Sequence, residues 1–164
     1  MRDAFQDRMP GNVCFGCGAG NARGLRIKSR WEGDDAVCIF RPEPHQNAGV
    51  PEVVNGGIIA TVVDCHCICT AVADAYRRAG RAIGSDPLIW YVTGSLTVVY
   101  RKPAPAGRPL EFRARVTGVD GRRTFLRCTV SANAAECVVA KVTAVRVPAD
   151  WRAGAAHELP EDPS

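Results

Sequence analysis

The 164-residue sequence contains no uninterrupted apolar run of the length a bilayer crossing demands. Its first residues, Met1-Arg-Asp-Ala-Phe-Gln-Asp, lack the hydrophobic stretch of a secretory leader. These absences leave no membrane role in view and point to the cytoplasm. Blocks of basic residues are missing as well. Lys and Arg are spread along the chain, the net charge is only +4, and no aromatics interleave with the basic residues. A nucleic-acid surface is therefore not expected, although such a charge suits an anionic small molecule. Repeats and low-complexity blocks are absent. So is a second metal half-site: Cys14-x-x-Cys17 forms half of a zinc motif, but no other Cys-x-x-Cys or His pair answers it. Neither a metal nor another cofactor is expected.

What remains is ordinary for one globular domain: 46% hydrophobic and 23% charged residues, with length for a single proper core. The eight cysteines are expected as free thiols, because nothing points to an oxidising compartment. Cys38, Cys128 and Cys137 lie in apolar strand-like runs, where a thiol packs as a small hydrophobe.

Residues 1–24, rich in Gly, Asn and Cys, read as an irregular segment. Two short strands are expected at 25–31 and 36–41, parted by the turn Glu32-Gly-Asp-Asp. A proline-bearing loop follows, and then Asn55, a good N-cap, opens a run in which Ile59, Val62, Val63, His66, Thr70 and Ala73 recur at helical spacing. The spacing predicts a helix over 56–79, stopped at Gly80 and apolar almost all round in its first half. Beyond Pro87 the period becomes two, with strands expected over 88–100, 110–117, 122–131 and 137–147 as a meander. The expected organisation is the segment 1–24, a domain over 25–148 and a polar tail over 149–164. The class is α+β: an antiparallel sheet of five to six strands wrapped around one long central helix.

The motifs narrow this. Val53-Val-Asn55-Gly56-Gly57-Ile-Ile-Ala-Thr-Val-Val-Asp64 resembles the PaaI-like acyl-CoA thioesterases, whose signature is His-Gly-Gly, an apolar helical stretch, then Asp. His45-Gln46-Asn47 matches the family's upstream loop. Thr93-Gly-Ser95-Leu-Thr97-Val-Val-Tyr100-Arg-Lys-Pro103-Ala looks like its first strand after the helix. Asn12-Val-Cys14-Phe-Gly-Cys17-Gly18 and Asn21-Ala-Arg-Gly24-Leu25 resemble the opening of one branch. The likeness covers roughly residues 12 to 147 and implies the hotdog fold, an acyl-CoA substrate and dimeric assembly. Segment 1–24 then reads as a Gly-rich lid near the substrate tunnel.

Thioester hydrolysis needs a carbonyl polarised by N–H donors and a water or carboxylate to attack it. Gly56 and Gly57 open the helix, where backbone N–H groups lack partners and no side chain blocks a close approach. Asp64, a carboxylate in the apolar half of the helix, is either a general base for water or a direct nucleophile; its alternative is a satisfied structural carboxylate. It lies about 12 Å along the helix from Gly56 at the standard rise. One chain cannot easily apply both groups to one carbon. Two antiparallel helices about a two-fold axis can, which predicts a homodimer, alone or as a dimer of dimers.

Other roles follow from the resemblance, each beside a plainer alternative. Asn55 stands where most relatives carry His; it either caps the helix or takes part in catalysis, but cannot shuttle a proton near neutrality. Asn47 would orient the thioester, or form an Asx turn. Thr93 would position the attacking water, or simply suit a strand. His45 falls in the substrate loop, and Arg101 and Lys102 would meet CoA phosphates, or sit as solvated charges. His66 is expected in packing or an interface, and Cys65, Cys67 and Cys69 carry no catalytic expectation. The leading expectation is an acyl-CoA thioesterase, with a non-catalytic acyl-CoA binder as the alternative that Asn55 raises. A hotdog dehydratase fits the spacing to Asp64 less well.

Overall fold

The computed structural model describes residues 3–151. Two strands, β1 (Ser29–Glu32) and β2 (Asp35–Phe40), precede a single long helix, α1 (Gly56–Arg78). Four strands follow: β3 (Trp90–Tyr100), β4 (Leu110–Asp120), β5 (Arg123–Ala132) and β6 (Ala135–Val147). They form one antiparallel six-stranded sheet in the order β1-β2-β4-β5-β6-β3. The expected four-strand meander is corrected here. Only β4, β5 and β6 run as neighbours in sequence; β3 pairs with β6, and the 101–109 connection carries the chain over to β2.

Local chemistry sets the element boundaries. Arg26 has φ 51, a left-handed conformation that keeps 25–28 out of the ladder, so β1 begins later than expected. The Ile89 N–H goes to the Tyr76 hydroxyl rather than to a strand neighbour, and β3 starts at Trp90. α1 opens where Asn55 caps it. It closes where the Gly80 N–H bonds the Arg77 carbonyl and Gly80 takes φ 64.

α1 packs against β3, β4, β5 and β6, and the inward side chains Leu110, Phe112, Leu126, Val130, Val138 and Val142 are buried around it. Each such side chain contributes about 1.5–3 kcal/mol by leaving water. The helix is 23 residues long and apolar enough to cross a bilayer by length and composition, which corrects the expectation that no such run exists. Most of it is buried in the protein, as a core helix is.

The N-terminal segment joins the same core through Ala4, Phe5, Met9 and Cys17. Beneath it lies a polar chain. The Gln6 amide donates to Ser29 Oγ at 2.9 Å, and Ser29 Oγ meets His66 Nδ1 at 2.8 Å. His66 Nε2 lies 3.1 Å from the Ala36 carbonyl, which can only accept, so Nε2 carries the proton. Burial pushes the His66 pKa down to about 4, leaving a neutral packing residue. Cys38, Cys128 and Cys137 are buried as expected. Beyond residue 151 the polar tail lies outside the described residues.

Candidate active site

Most faces of α1 are covered, but Gly57 is exposed and Thr61, Asp64 and Ile68 are half-buried. Their spacing of four, three and four places them in one stripe. β3 runs beside that stripe at the edge of the sheet. Its pairing with β6 shifts register between Thr93 and Ser95. Gly94 serves this bulge: a Cβ there would fall 2.8 Å from a methyl of Val145. At the bulge the Thr93 hydroxyl donates to Asp64 Oδ1 at 2.5 Å. Burial pushes the Asp64 carboxyl above its ordinary range, the Thr93 hydrogen bond opposes that, and the nearby Cys17 sulfur adds to the rise. A carboxylate made more basic yet still reachable is suited to taking a proton from water.

The start of α1 supplies the second part. Asn55 Oδ1 accepts from the Gly57 N–H at 2.8 Å and the Ile58 N–H at 3.3 Å, while the Asn55 carbonyl takes the Ile59 N–H at 3.2 Å. Of the first three amides of the helix, Gly56 N–H alone has no acceptor among the described residues. The Tyr100 hydroxyl donates to the Gly56 carbonyl at 2.5 Å, and a Cβ on Gly56 would stand 3.3 Å from the tyrosine ring. Val54, Gly56, Ile59, Tyr100, Arg101 and Lys102 line an open cleft of about 390 Å³.

The structure thus brings Asp64 to Thr93, Asn55 to the Gly57 amide, and Gly56 to a cleft that Arg101 and Lys102 also line. Arg101 also pairs with Glu136 at 3.3 Å. Asn47 and His45 stand apart from these contacts. The Asn47 amide donates to the Pro51 carbonyl at 2.8 Å, closing its own loop, and its Oδ1 is buried with no partner among the described residues. His45 is exposed, with Glu43 3.5 Å away. Tyr100 is the functional neighbour that sequence reasoning passed over; its position in the strand motif, just before Arg101 and Lys102, was the available signal.

Sequence reasoning also missed a partner for Cys14 and Cys17, and geometry corrects it. The sulfurs of Cys14, Cys17 and Cys65 lie within 4.8 Å of one another, with Cys14 and Cys65 at 3.6 Å. Cys69 lies one turn further along α1, on the same face as Cys65. Contacts from Cys14, Cys65 and Cys69 lower the pKa of Cys17, while Cys65 and Cys69 are pushed up. The N-terminal segment is therefore fastened against α1 beside Asp64.

Comparison with known proteins gives a consistent picture. The family model described as the thioesterase superfamily matches residues 52–138, just over half of the chain. A thioesterase superfamily protein from Shewanella loihica is 30% identical, with a TM-score of 0.61 over 74% of this chain and 91% of that one. The E. coli PaaI protein from the phenylacetic acid degradation operon shares the hotdog fold, with a TM-score of 0.61 at 13% identity over 76% of this chain and 81% of that one. Acyl-coenzyme A thioesterase THEM4 of Xenopus laevis is 31% identical over 94 residues, 57% of this chain and 36% of that protein. Its Rattus norvegicus counterpart is 26% identical over 114 residues, 70% of this chain and 43% of that protein. The chain spans about two fifths of the length of these curated relatives. The helix with its Gly-Gly start, the Asp two turns on and strands β3, β4 and β5 all lie within residues 52–138, and the chain belongs to the thioesterase superfamily.

Proposed function

We propose that this protein hydrolyses acyl-CoA thioesters as a homodimer, with Asp64 as general base and Gly56 N–H polarising the thioester carbonyl. The observation that carries the reading is the Asp64–Thr93 pair: a carboxylate raised by burial, with one oxygen held by a hydroxyl and Oδ2 without a partner among the described residues. In the proposed reaction Asp64 takes a proton from water as the water oxygen adds to the carbonyl carbon. The resulting oxyanion faces Gly56 N–H. Collapse breaks the C–S bond, the CoA sulfur takes the proton back from Asp64, and acid and CoA are released. The THEM4 relatives support acyl-CoA as substrate, and Arg101 and Lys102 at the cleft suit its phosphates.

The dimer is supported by β3. An outer edge strand is ordinarily blunted by charge, yet Trp90–Tyr100 contains no charged residue, and Leu96, Val99 and Tyr100 are exposed along it. Edge-to-edge pairing of two copies would set the two α1 helices antiparallel and bring Asp64 to Gly56 of the partner subunit, twice per dimer.

The test is CoA release from short, long and aromatic acyl-CoAs by wild type and Asp64→Ala, with mass measured by sedimentation. Dimeric wild type should turn over, and the intact mutant dimer should not. An active monomer, or a mutant as fast as wild type, would overturn the mechanism. One observation favours a second reading, a non-catalytic acyl-CoA binder: Asn55 Oδ1 already holds two of the three amides at the helix start. Binding without release by the wild type would select it.

A further inference from the structure

We propose that Cys14, Cys17, Cys65 and Cys69 form a tetrathiolate site for zinc, fastening the N-terminal segment to α1 one residue from Asp64. The argument starts from spacing. Four sulfurs around zinc at about 2.3 Å stand about 3.8 Å apart along each tetrahedral edge. Cys14 and Cys65 are 3.6 Å apart, far beyond the roughly 2.05 Å of a disulfide and close to that edge. Cys17 lies within 4.8 Å of both. Cys65 and Cys69 are four residues apart on α1, hence on one face, so Cys69 is placed to supply the fourth sulfur, closing in from outside the 4.8 Å group when the ion binds.

The surroundings are built to hold sulfur in place. Buried Asn12 donates from its amide to Cys17 Sγ at 3.4 Å and accepts the Cys14 N–H at 3.0 Å, so one side chain orients both members of the Cys-x-x-Cys pair. The Gly18 N–H bonds the Cys14 carbonyl at 2.9 Å and closes the turn. Gly16 permits the approach to the helix, since a Cβ there would lie 2.3 Å from Cys65 Sγ.

The donor set selects the ion and its role. Four soft thiolates favour zinc over magnesium or calcium. With all four positions filled by protein the site is closed, so the ion stabilises the fold and takes no part in the reaction. Cys14 is exposed and gives the ion a way in, while the other three are buried. This inference is independent of the hydrolase reading.

The experiment uses the full chain, refolded with zinc under reducing conditions and desalted. Elemental analysis should return one zinc per chain. Cobalt(II) in its place should give thiolate-to-metal charge-transfer bands and the d–d bands of a tetrahedral ion. Cys14→Ser, at the exposed position, should fold and bind zinc more than about a hundredfold more weakly. Cys69→Ser should weaken binding and alter the cobalt spectrum, whereas Cys137→Ser, outside the cluster, should keep both. Less than about a tenth of an equivalent of zinc, an iron chromophore, or unchanged affinity in Cys14→Ser would overturn the proposal.

Discussion

Asn55 can be probed by two substitutions whose effects on stability and on turnover run in opposite directions. Asn55→Ala removes Oδ1 from the Gly57 and Ile58 amides. Loss of an N-cap costs about 1 kcal/mol, which lowers the melting temperature of a domain of this size by roughly 2–4 °C. It also frees two donors at the proposed carbonyl position, so CoA release should change by no more than about threefold, under 1 kcal/mol. Asn55→Asp keeps the cap and sets a carboxylate at the positive end of α1, so stability should hold or rise by about 0.3–1 kcal/mol. Its charge, however, stands beside the developing oxyanion. Oxygens bound to the adjacent Gly56 and Gly57 amides lie about 5 Å apart. At an effective dielectric of about 20 that is a repulsion of roughly 3.3 kcal/mol, or about a 260-fold loss in kcat. Thermal unfolding and steady-state CoA release on both variants give the comparison. An Asn55→Asp protein that turns over within about threefold of wild type would refute the placement of the carbonyl at this helix start.

Three further outcomes are expected. Val99→Lys puts a cation on the exposed edge of β3 in both copies and should raise the dimer dissociation constant by at least about tenfold, read by sedimentation across a concentration series. Ala134 sits in the β5–β6 turn at φ 63, where Ala is strained and Gly is not; Ala134→Gly should raise stability by up to about 1 kcal/mol in a denaturant titration. Asp35 is held below its ordinary pKa by the hydrogen bond from Arg115, with Arg113 assisting. Its contribution is present above the unfolded value of about 3.9 and lost as pH falls through the lower folded value, so Asp35→Asn should flatten the acid limb of a stability–pH curve.

The helix was legible because its signals are local: Asn55 before it, Gly80 after it and a 3.6-residue period between. Strand identities were equally legible from alternation, as in Leu110, Phe112 and Ala114. Strand neighbours were not. Period-two patterning tells which face of a strand is buried but not which strand lies beside it, so β3 was assigned to a meander when its partner is β6. The start of β1 was missed because nothing in Leu25-Arg26-Ile27 announces a positive φ at an arginine. At the site, Asp64, Gly56 and Gly57 came from one contiguous motif. The Thr93 hydroxyl reaches Asp64 only through a bulge at Gly94, a tertiary feature with no residue pattern of its own. The cysteine cluster escaped for a similar reason. Its two halves lie about fifty residues apart, and the second has helical rather than turn spacing, so no linear motif joins them.

The late arrival of a partner for β3 has a consequence during synthesis. β3 is complete at Tyr100, yet β6 ends at Val147, 47 residues later (147 − 100). At roughly 5–20 residues per second a ribosome needs about 2–9 s to supply them. Throughout that interval the nascent chain carries an uncharged strand whose neighbour in the sheet is not yet complete, above a helix that lacks its full cover. Such an intermediate is a natural client for chaperones that hold extended apolar segments. A premature stop codon at the start of β6 would make that state permanent, exposing the product to proteolysis.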